Sequence, residues 1–204
     1  MTNDLNIAII ILAAGASSRM GQPKQLLPYQ GRSLLQHTVE SAIASLCNPV
    51  IVVLGANAQQ IRSQVNQNLV QIVENPQWHL GMSTSIRSGI SALNNYSQNI
   101  EAAVITVCDQ PYISTEIINN LIAAYSSTKK PIVASQYAET LGVPALFSRQ
   151  FFPELLELNK DTGAKYLIKK YRDLVLTVNF PLGSIDIDTP QDYETLQANI
   201  LSKE

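Results

Sequence analysis

With 204 residues, 46% of them hydrophobic, and a formal net charge of only −2, the chain is sized for one packed α/β domain over residues 1–204, and it lacks the positive field that draws nucleic acid. Two cysteines, Cys47 and Cys108, and two histidines, His37 and His79, are too few for a disulfide framework or a zinc cage. No apolar run approaches the ~18 residues that span a bilayer, and residues 1–6 lack the basic and apolar pattern of a secretion signal, so a reducing cytoplasm and no membrane partner are expected.

Apolar, β-branched runs alternate with helical periodicities, without repeats or long linkers. The first strand is expected over Ile7–Leu12. A helix follows over Ser33–Leu46, then a strand over Val50–Leu54, a helix over Ala58–Asn66 and a strand over Leu69–Val73. Next come a helix over Ser83–Leu93, a strand over Ala102–Val107 and a helix over Ser114–Ser126. Two strands, Pro131–Ala134 and Pro144–Phe147, precede helices over Arg149–Leu158 and Thr162–Lys170. A strand over Leu174–Val178 and a helix over Pro190–Leu201 close the chain. Runs such as IAIIIL and VIVVL are apolar at every position, the mark of strands buried on both faces. Strand–helix alternation then implies a three-layer α/β sandwich with a mostly parallel sheet, whose ligands bind beyond the carboxyl ends of its strands.

Four stretches sit at such ends or at helix starts. The first strand stops at Ala13-Ala14-Gly15, and Arg19, Gly21 and Lys24 follow. Small side chains let a ligand touch the backbone, free N–H groups cradle an anion, and two cations five residues apart add charge for phosphates. The loop has neither the Gly-Lys-Ser/Thr of a Walker A nor the second glycine of a dinucleotide fingerprint. After Ala102–Val107 stands Cys108-Asp109-Gln110-Pro111. A carboxylate there can ligate Mg2+ beside phosphates, or it can serve only the turn before the Ser114 helix. Near the end, Ile185-Asp186-Ile187-Asp188-Thr189-Pro190 places Asp186 and Asp188 on one side if extended, although Asp188 or Thr189 could instead cap the helix that Pro190 opens. Between them, Gly81 frees the backbone before a helix whose first turn carries Ser83 and Ser85.

The loop Leu12-Ala13-Ala14-Gly15-x-Ser17-x-Arg19-Met20-Gly21-x-x-Lys24 resembles the signature of the MobA-like NTP transferase family at every fixed position. The Asp109 segment, the Gly81–Ser85 segment, Gly142–Phe147 and Asp161–Lys165 match further family stations in order, from Ile7 to about Leu196. The resemblance implies a nucleotide-diphospho-sugar transferase-like, Rossmann-like fold and a nucleotidyltransferase activity. Leu12, Ala13, Ala14 and Gly15, with Gly81 and Ser85, would bind the nucleotide. Arg19 and Lys24 would hold the β- and γ-phosphates, and Asp109 and Asp188 would carry Mg2+. The acceptor side departs from the family pattern, with Lys165 where an arginine is usual. Ala13-Ala14-Gly15 resembles the cytidylyl rather than the guanylyl branch, so CTP and a phosphorylated small-molecule acceptor, molybdenum cofactor first, are the implied substrates. A molybdoenzyme or its chaperone is an implied partner. Transfer to a sugar phosphate or another phosphorylated alcohol, or a non-catalytic nucleotide-binding role in molybdoenzyme maturation, stand as alternatives.

Overall fold

Strand β1, Ile7–Ala13, is buried at all seven positions and lies parallel to β4 (Val50–Leu54) on one side and β6 (Ala102–Val107) on the other. Its alternate residues serve different cores: Ile7, Ile9 and Ile11 pack into one, Ala8, Ile10 and Leu12 into the other. That is why the run is apolar throughout rather than alternating. The computed structural model describes residues 6–96, 99–159 and 162–201. In it a seven-stranded sheet runs in the order β5-β4-β1-β6-β8-β7-β9, with β5 at Gln71–Glu74, β7 at Ile132–Tyr137, β8 at Thr140–Ser148 and β9 at Val175–Asn179.

Helices cover both faces, which makes the expected three layers. On one side α1 (Leu34–Ile43), α2 (Ala58–Arg62) and α4 (Thr115–Thr128) bury Leu35, Val39, Ile61, Ile118 and Leu121. On the other, α3 (Met82–Ala92), α5 (Phe152–Leu156) and α6 (Ala164–Lys170) bury Ile86, Ile90, Leu155, Leu167 and Ile168. A third, small cluster joins Met20, Leu27, Tyr29 and Leu34 to Ile187 and Leu196, the last on α7 (Pro190–Leu201). This cluster fastens the loop after β1 to the C-terminal segment, and Tyr193 adds a hydroxyl bond to the carbonyl of Pro28 at 2.7 Å.

The sheet is mostly parallel, as expected, with one strand reversed. β8 runs antiparallel to both β6 and β7. Only Ala138 and Glu139 separate β7 from β8, far too few residues for a parallel crossover, so a hairpin is the only connection available. The reading missed the hairpin of β2 (Pro28–Tyr29) and β3 (Arg32–Ser33), turned by Gln30 and Gly31 with φ of 48° and 79°. α1 starts one residue later than read because Ser33 is its cap, accepting from the Gln36 N–H while Gln36 bonds back. α2 ends at Arg62 rather than Asn66, and the strand read at Leu69–Val73 is formed by Gln71–Glu74.

α3 presses directly on β1 at Gly89, where a Cβ would lie 2.5 Å from Ile10 Cγ2 and 3.3 Å from Val53 Cγ2. Alanine is the better helix former by about 1 kcal/mol, yet overpacking a stiff, buried isoleucine costs about 1–3 kcal/mol. Gly89→Ala should therefore lower unfolding free energy in urea by about 1–2 kcal/mol. Equal or greater stability would show that α3 does not bear on β1 as described.

Candidate active site

β1 and β6 end side by side, with Leu12 paired to Val107, so the loops that follow them open into one space. That space is a cavity of about 590 Å³ beyond the carboxyl ends of the parallel strands. The start of α3 and the extended segment before α7 complete it. The ten residues singled out from the sequence, Leu12, Ala13, Ala14, Gly15, Arg19, Lys24, Gly81, Ser85, Asp109 and Asp188, all line it. Asp186 lines it as well.

The loop after β1 is held from within. Gln25, 1% exposed, donates both amide protons, to the carbonyls of Ala13 and Gly15, each at 2.9 Å. Ser17, at φ 56°, donates its hydroxyl to Gln25 Oε1 and accepts from the Lys24 N–H at 3.0 Å. The carbonyl of Ala14 accepts from the Ala56 N–H at 3.0 Å. Gly55 permits this approach: a Cβ there would stand 2.5 Å from Trp78 Cβ and 2.8 Å from the Ala14 carbonyl oxygen.

Charge is concentrated around Lys24. Its ammonium lies 2.6 Å from Asp109 Oδ2 and 2.8 Å from Asp188 Oδ1, and Arg19 Nη2 lies 2.7 Å from Asp188 Oδ2. The backbone reinforces the junction, since the Ile187 N–H donates to the Asp109 carbonyl at 2.9 Å. The Lys24 side chain is 13% exposed and Arg19 68%, so the Lys24 pairs are shielded while the Arg19 pair is largely screened by water. Burial alone would lower the Lys24 pKa, but Asp109 and Asp188 outweigh it and hold the group above the ordinary lysine value. The Lys24 bond holds Asp188 below the usual carboxylate range. Asp186 goes the other way, pushed up first by burial and then by the charge of Asp109. Burial pushes the Cys108 thiol up to about 12, so it is no nucleophile at neutral pH.

Two carboxylates that share one cation offer hard oxygen donors, and these suit a divalent ion such as Mg2+. Two bonds to one nitrogen put their oxygens well inside the roughly 8 Å that a single ion and a water can span. Among the described residues no group of three or more His, Cys, Asp or Glu is placed to hold a metal alone. An ion here would draw its remaining ligands from phosphate and water, which is the habit of Mg2+.

Gln25 and Tyr137 carry no signal in the sequence, whereas Val143 lies in the Gly142–Phe147 stretch that matches the family. Tyr137 and Val143 reach the cavity from the β7–β8 hairpin, and Gln110 lines it with an Oε1 that has no partner among the described residues. An uncharged hairpin residue such as Tyr137 gives no pattern to search for. Lys165, read as an acceptor-side residue, lines a separate hollow with Glu139 and Arg172 on the hairpin's other side. Asp161 lies outside the described residues.

Comparisons with known proteins place the chain in a family. Residues 9–175 match the MobA-like NTP transferase domain family. The chain is 31% identical over 200 residues to nicotine blue oxidoreductase of Paenarthrobacter nicotinovorans, covering 92% of each. It is 25% identical over 190 residues to molybdenum cofactor cytidylyltransferase of Escherichia coli, covering 93% of this chain and 94% of that one. The crystal structure of Rv0371c in complex with manganese, from Mycobacterium tuberculosis, superposes with a TM-score of 0.74 at 30% identity, over 94% of this chain and 97% of that one.

The raised Asp186 pKa carries a stability consequence. A carboxyl whose folded value lies above its ordinary 3.8 opposes folding whenever it is ionised, and the penalty fades as pH falls through the folded value. Asp188, held low, contributes stability above 3.8 that is lost as pH falls through its folded value. Asp186→Asn should thus raise the melting temperature at pH 7, and by less at pH 4. A melting temperature lowered at pH 7 would mean that Asp186 is stabilised by bonds that outweigh its burial.

Proposed function

The chain belongs to the MobA-like NTP transferase family and is a nucleotidyltransferase, and from that premise we propose that it transfers CMP from CTP to a phosphorylated small-molecule acceptor, with molybdenum cofactor the favoured one. An oxygen of the acceptor's terminal phosphate attacks the α-phosphorus, the bond between the α- and β-phosphates breaks, and pyrophosphate leaves. Such chemistry calls for positioning and charge neutralisation rather than a protein nucleophile. The observation that carries the reading is Lys24 between Asp109 and Asp188, at the mouth of a loop of small residues.

In this reading Lys24, protonated throughout the physiological range, and Arg19 hold the β- and γ-phosphates and stabilise the departing pyrophosphate. Leu12, Ala13, Ala14 and Gly15 lie against the nucleoside, and Gly81 and Ser85 bound it from α3. Mg2+, when bound, would be held by Asp109 and Asp188 and would neutralise phosphate charge. Manganese in the Mycobacterium tuberculosis neighbour supports a divalent ion in this family, without choosing magnesium. The acceptor end is formed by Tyr137, Val143, Gln110 and Asp186. A molybdoenzyme or its chaperone would receive the product, in the cytoplasm, and residues 1–204 would act as one domain. No helix among the described residues is long and apolar enough to cross a membrane.

CTP is favoured by Ala13-Ala14-Gly15 and by the similarity to the Escherichia coli cytidylyltransferase. A pyrophosphate-release screen of four NTPs against molybdenum cofactor and a panel of sugar phosphates tests both substrates. Release with CTP and molybdenum cofactor is expected. Release only with a sugar phosphate would move the acceptor, and release only with GTP would move the chain to the guanylyl branch.

Lys24→Met keeps the aliphatic stem and removes the charge. Turnover should fall about a hundredfold, equivalent to roughly 3 kcal/mol of transition-state stabilisation. Unaltered kcat in a folded Lys24→Met protein would remove Lys24 from the chemistry.

A further inference from the structure

Two buried amides, Asn75 and Gln25, bond to groups that line the cavity. Asn75, 2% exposed, follows β5 and reaches under the first turn of α3. Its Nδ2 donates to Thr84 Oγ1 at 2.7 Å and to Ser85 Oγ at 3.0 Å, and its Oδ1 accepts from the Gln77 N–H at 2.9 Å. The reverse amide orientation would point NH2 at an N–H, so the network admits one arrangement. Thr84 passes its own proton on to the carbonyl of Gln77 or Gly81, at 3.0 and 2.8 Å. Ser85 differs. A hydroxyl carries one proton, and because Ser85 Oγ already accepts from Asn75, that proton is left to donate. No group among the described residues takes it, and Ser85 lines the cavity.

Gln25 does the matching work on the facing loop. It occupies the carbonyls of Ala13 and Gly15, and Ala56 occupies that of Ala14. The N–H groups of Ala14, Gly15 and Ala16, by contrast, have no acceptor among the described residues. The carbonyls of Ala13, Ala14 and Gly15 are thus engaged, and the N–H groups of Ala14 and Gly15 are open.

We infer that Asn75 and Gln25 are positioning residues that turn this end of the cavity into a surface of hydrogen-bond donors, and that this polarity selects the base. Among the four common bases, cytosine alone presents two adjacent acceptors, N3 and O2, on its pairing edge. Guanine presents two adjacent donors there, and adenine and uracil alternate. A site whose buried donors are left unpaired by the wrong base discriminates strongly, because each orphaned group costs a full hydrogen bond. The inference rests on the proposed nucleotide reading of the cavity but not on the identity of the acceptor.

Asn75→Asp tests it. A carboxylate in that position donates nothing, so it draws the Ser85 proton inward and leaves Ser85 lone pairs facing the base. Calorimetric affinities for CTP and GTP, each with Mg2+, are measured on the full chain beside its melting temperature. The wild-type protein should prefer CTP, and Asn75→Asp should reduce the CTP-to-GTP affinity ratio about tenfold or more, with GTP binding gaining. A merely structural role would weaken both nucleotides alike. Ser85→Ala and Gln25→Met carry the same test if Asn75→Asp does not fold, and each should narrow the ratio. A wild-type ratio retained in a folded Asn75→Asp protein, or in both companion variants, would overturn the inference while leaving nucleotidyl transfer intact. Loss of the ratio in variants of a protein that releases no pyrophosphate with any acceptor would sustain the inference and overturn the transfer reading.

Discussion

Asp109 and Asp188 come from distant parts of the chain, and two carboxylates placed this close repel unless a cation stands between them. Lys24 is that cation, drawn from a third segment 85 residues from one partner and 164 from the other. The rest of the architecture serves this meeting. β1 and β6 run parallel and adjacent, so the loop bearing Lys24 and the turn bearing Asp109 leave the sheet at the same edge. The Met20–Ile187 cluster then brings the C-terminal segment over both, and the Ile187 N–H fixes its height on the Asp109 carbonyl. Of the two cations that pair with these carboxylates, only Lys24 is shielded, since Arg19 is largely exposed. Asp186 joins the two carboxylates in the cleft, its own carboxyl pushed up first by burial and then by the charge of Asp109. A polyanionic substrate entering such a cleft needs added positive charge, which is the physical case for a divalent ion.

The loop from Leu12 to Lys24 was legible because its chemistry depends on neighbours in sequence: small residues expose the backbone and two nearby cations follow. Asp109 was legible from its position just after an apolar strand, and Asp188 from the family resemblance of the segment before Thr189-Pro190. Their shared partner was not, because nothing in a sequence spacing says that Lys24 reaches both. The roles of Gln25 and Asn75 were not legible for a deeper reason. A buried amide acquires meaning only from the carbonyls and hydroxyls that the tertiary fold brings to it, and neither residue sits in a pattern that announces this.

The same distinction runs through the fold. Strands buried on both faces read as apolar runs whether their neighbours are parallel or antiparallel, so the orientation of β8 could not be taken from its composition. The signal lay in the short distance between two strands with no helix between them, and Ala138-Glu139 carries none of the usual turn residues. The hairpin matters functionally because it divides two hollows. Tyr137 and Val143 line the cavity, while Lys165 lines the other hollow, so the cation that the family resemblance implied on the acceptor side does not reach the cavity.

The central claim is that the cleft joining Lys24, Asp109 and Asp188 receives a triphosphate together with a divalent ion. Crystals grown with CTP and manganese, with the ion located by its anomalous scattering, test it most directly. The account predicts manganese between Asp109 and Asp188, with the Lys24 ammonium moved from the carboxylates to the triphosphate and the cytosine against Ser85. Manganese bound elsewhere, or CTP bound with Lys24 still closed on both carboxylates, would contradict it.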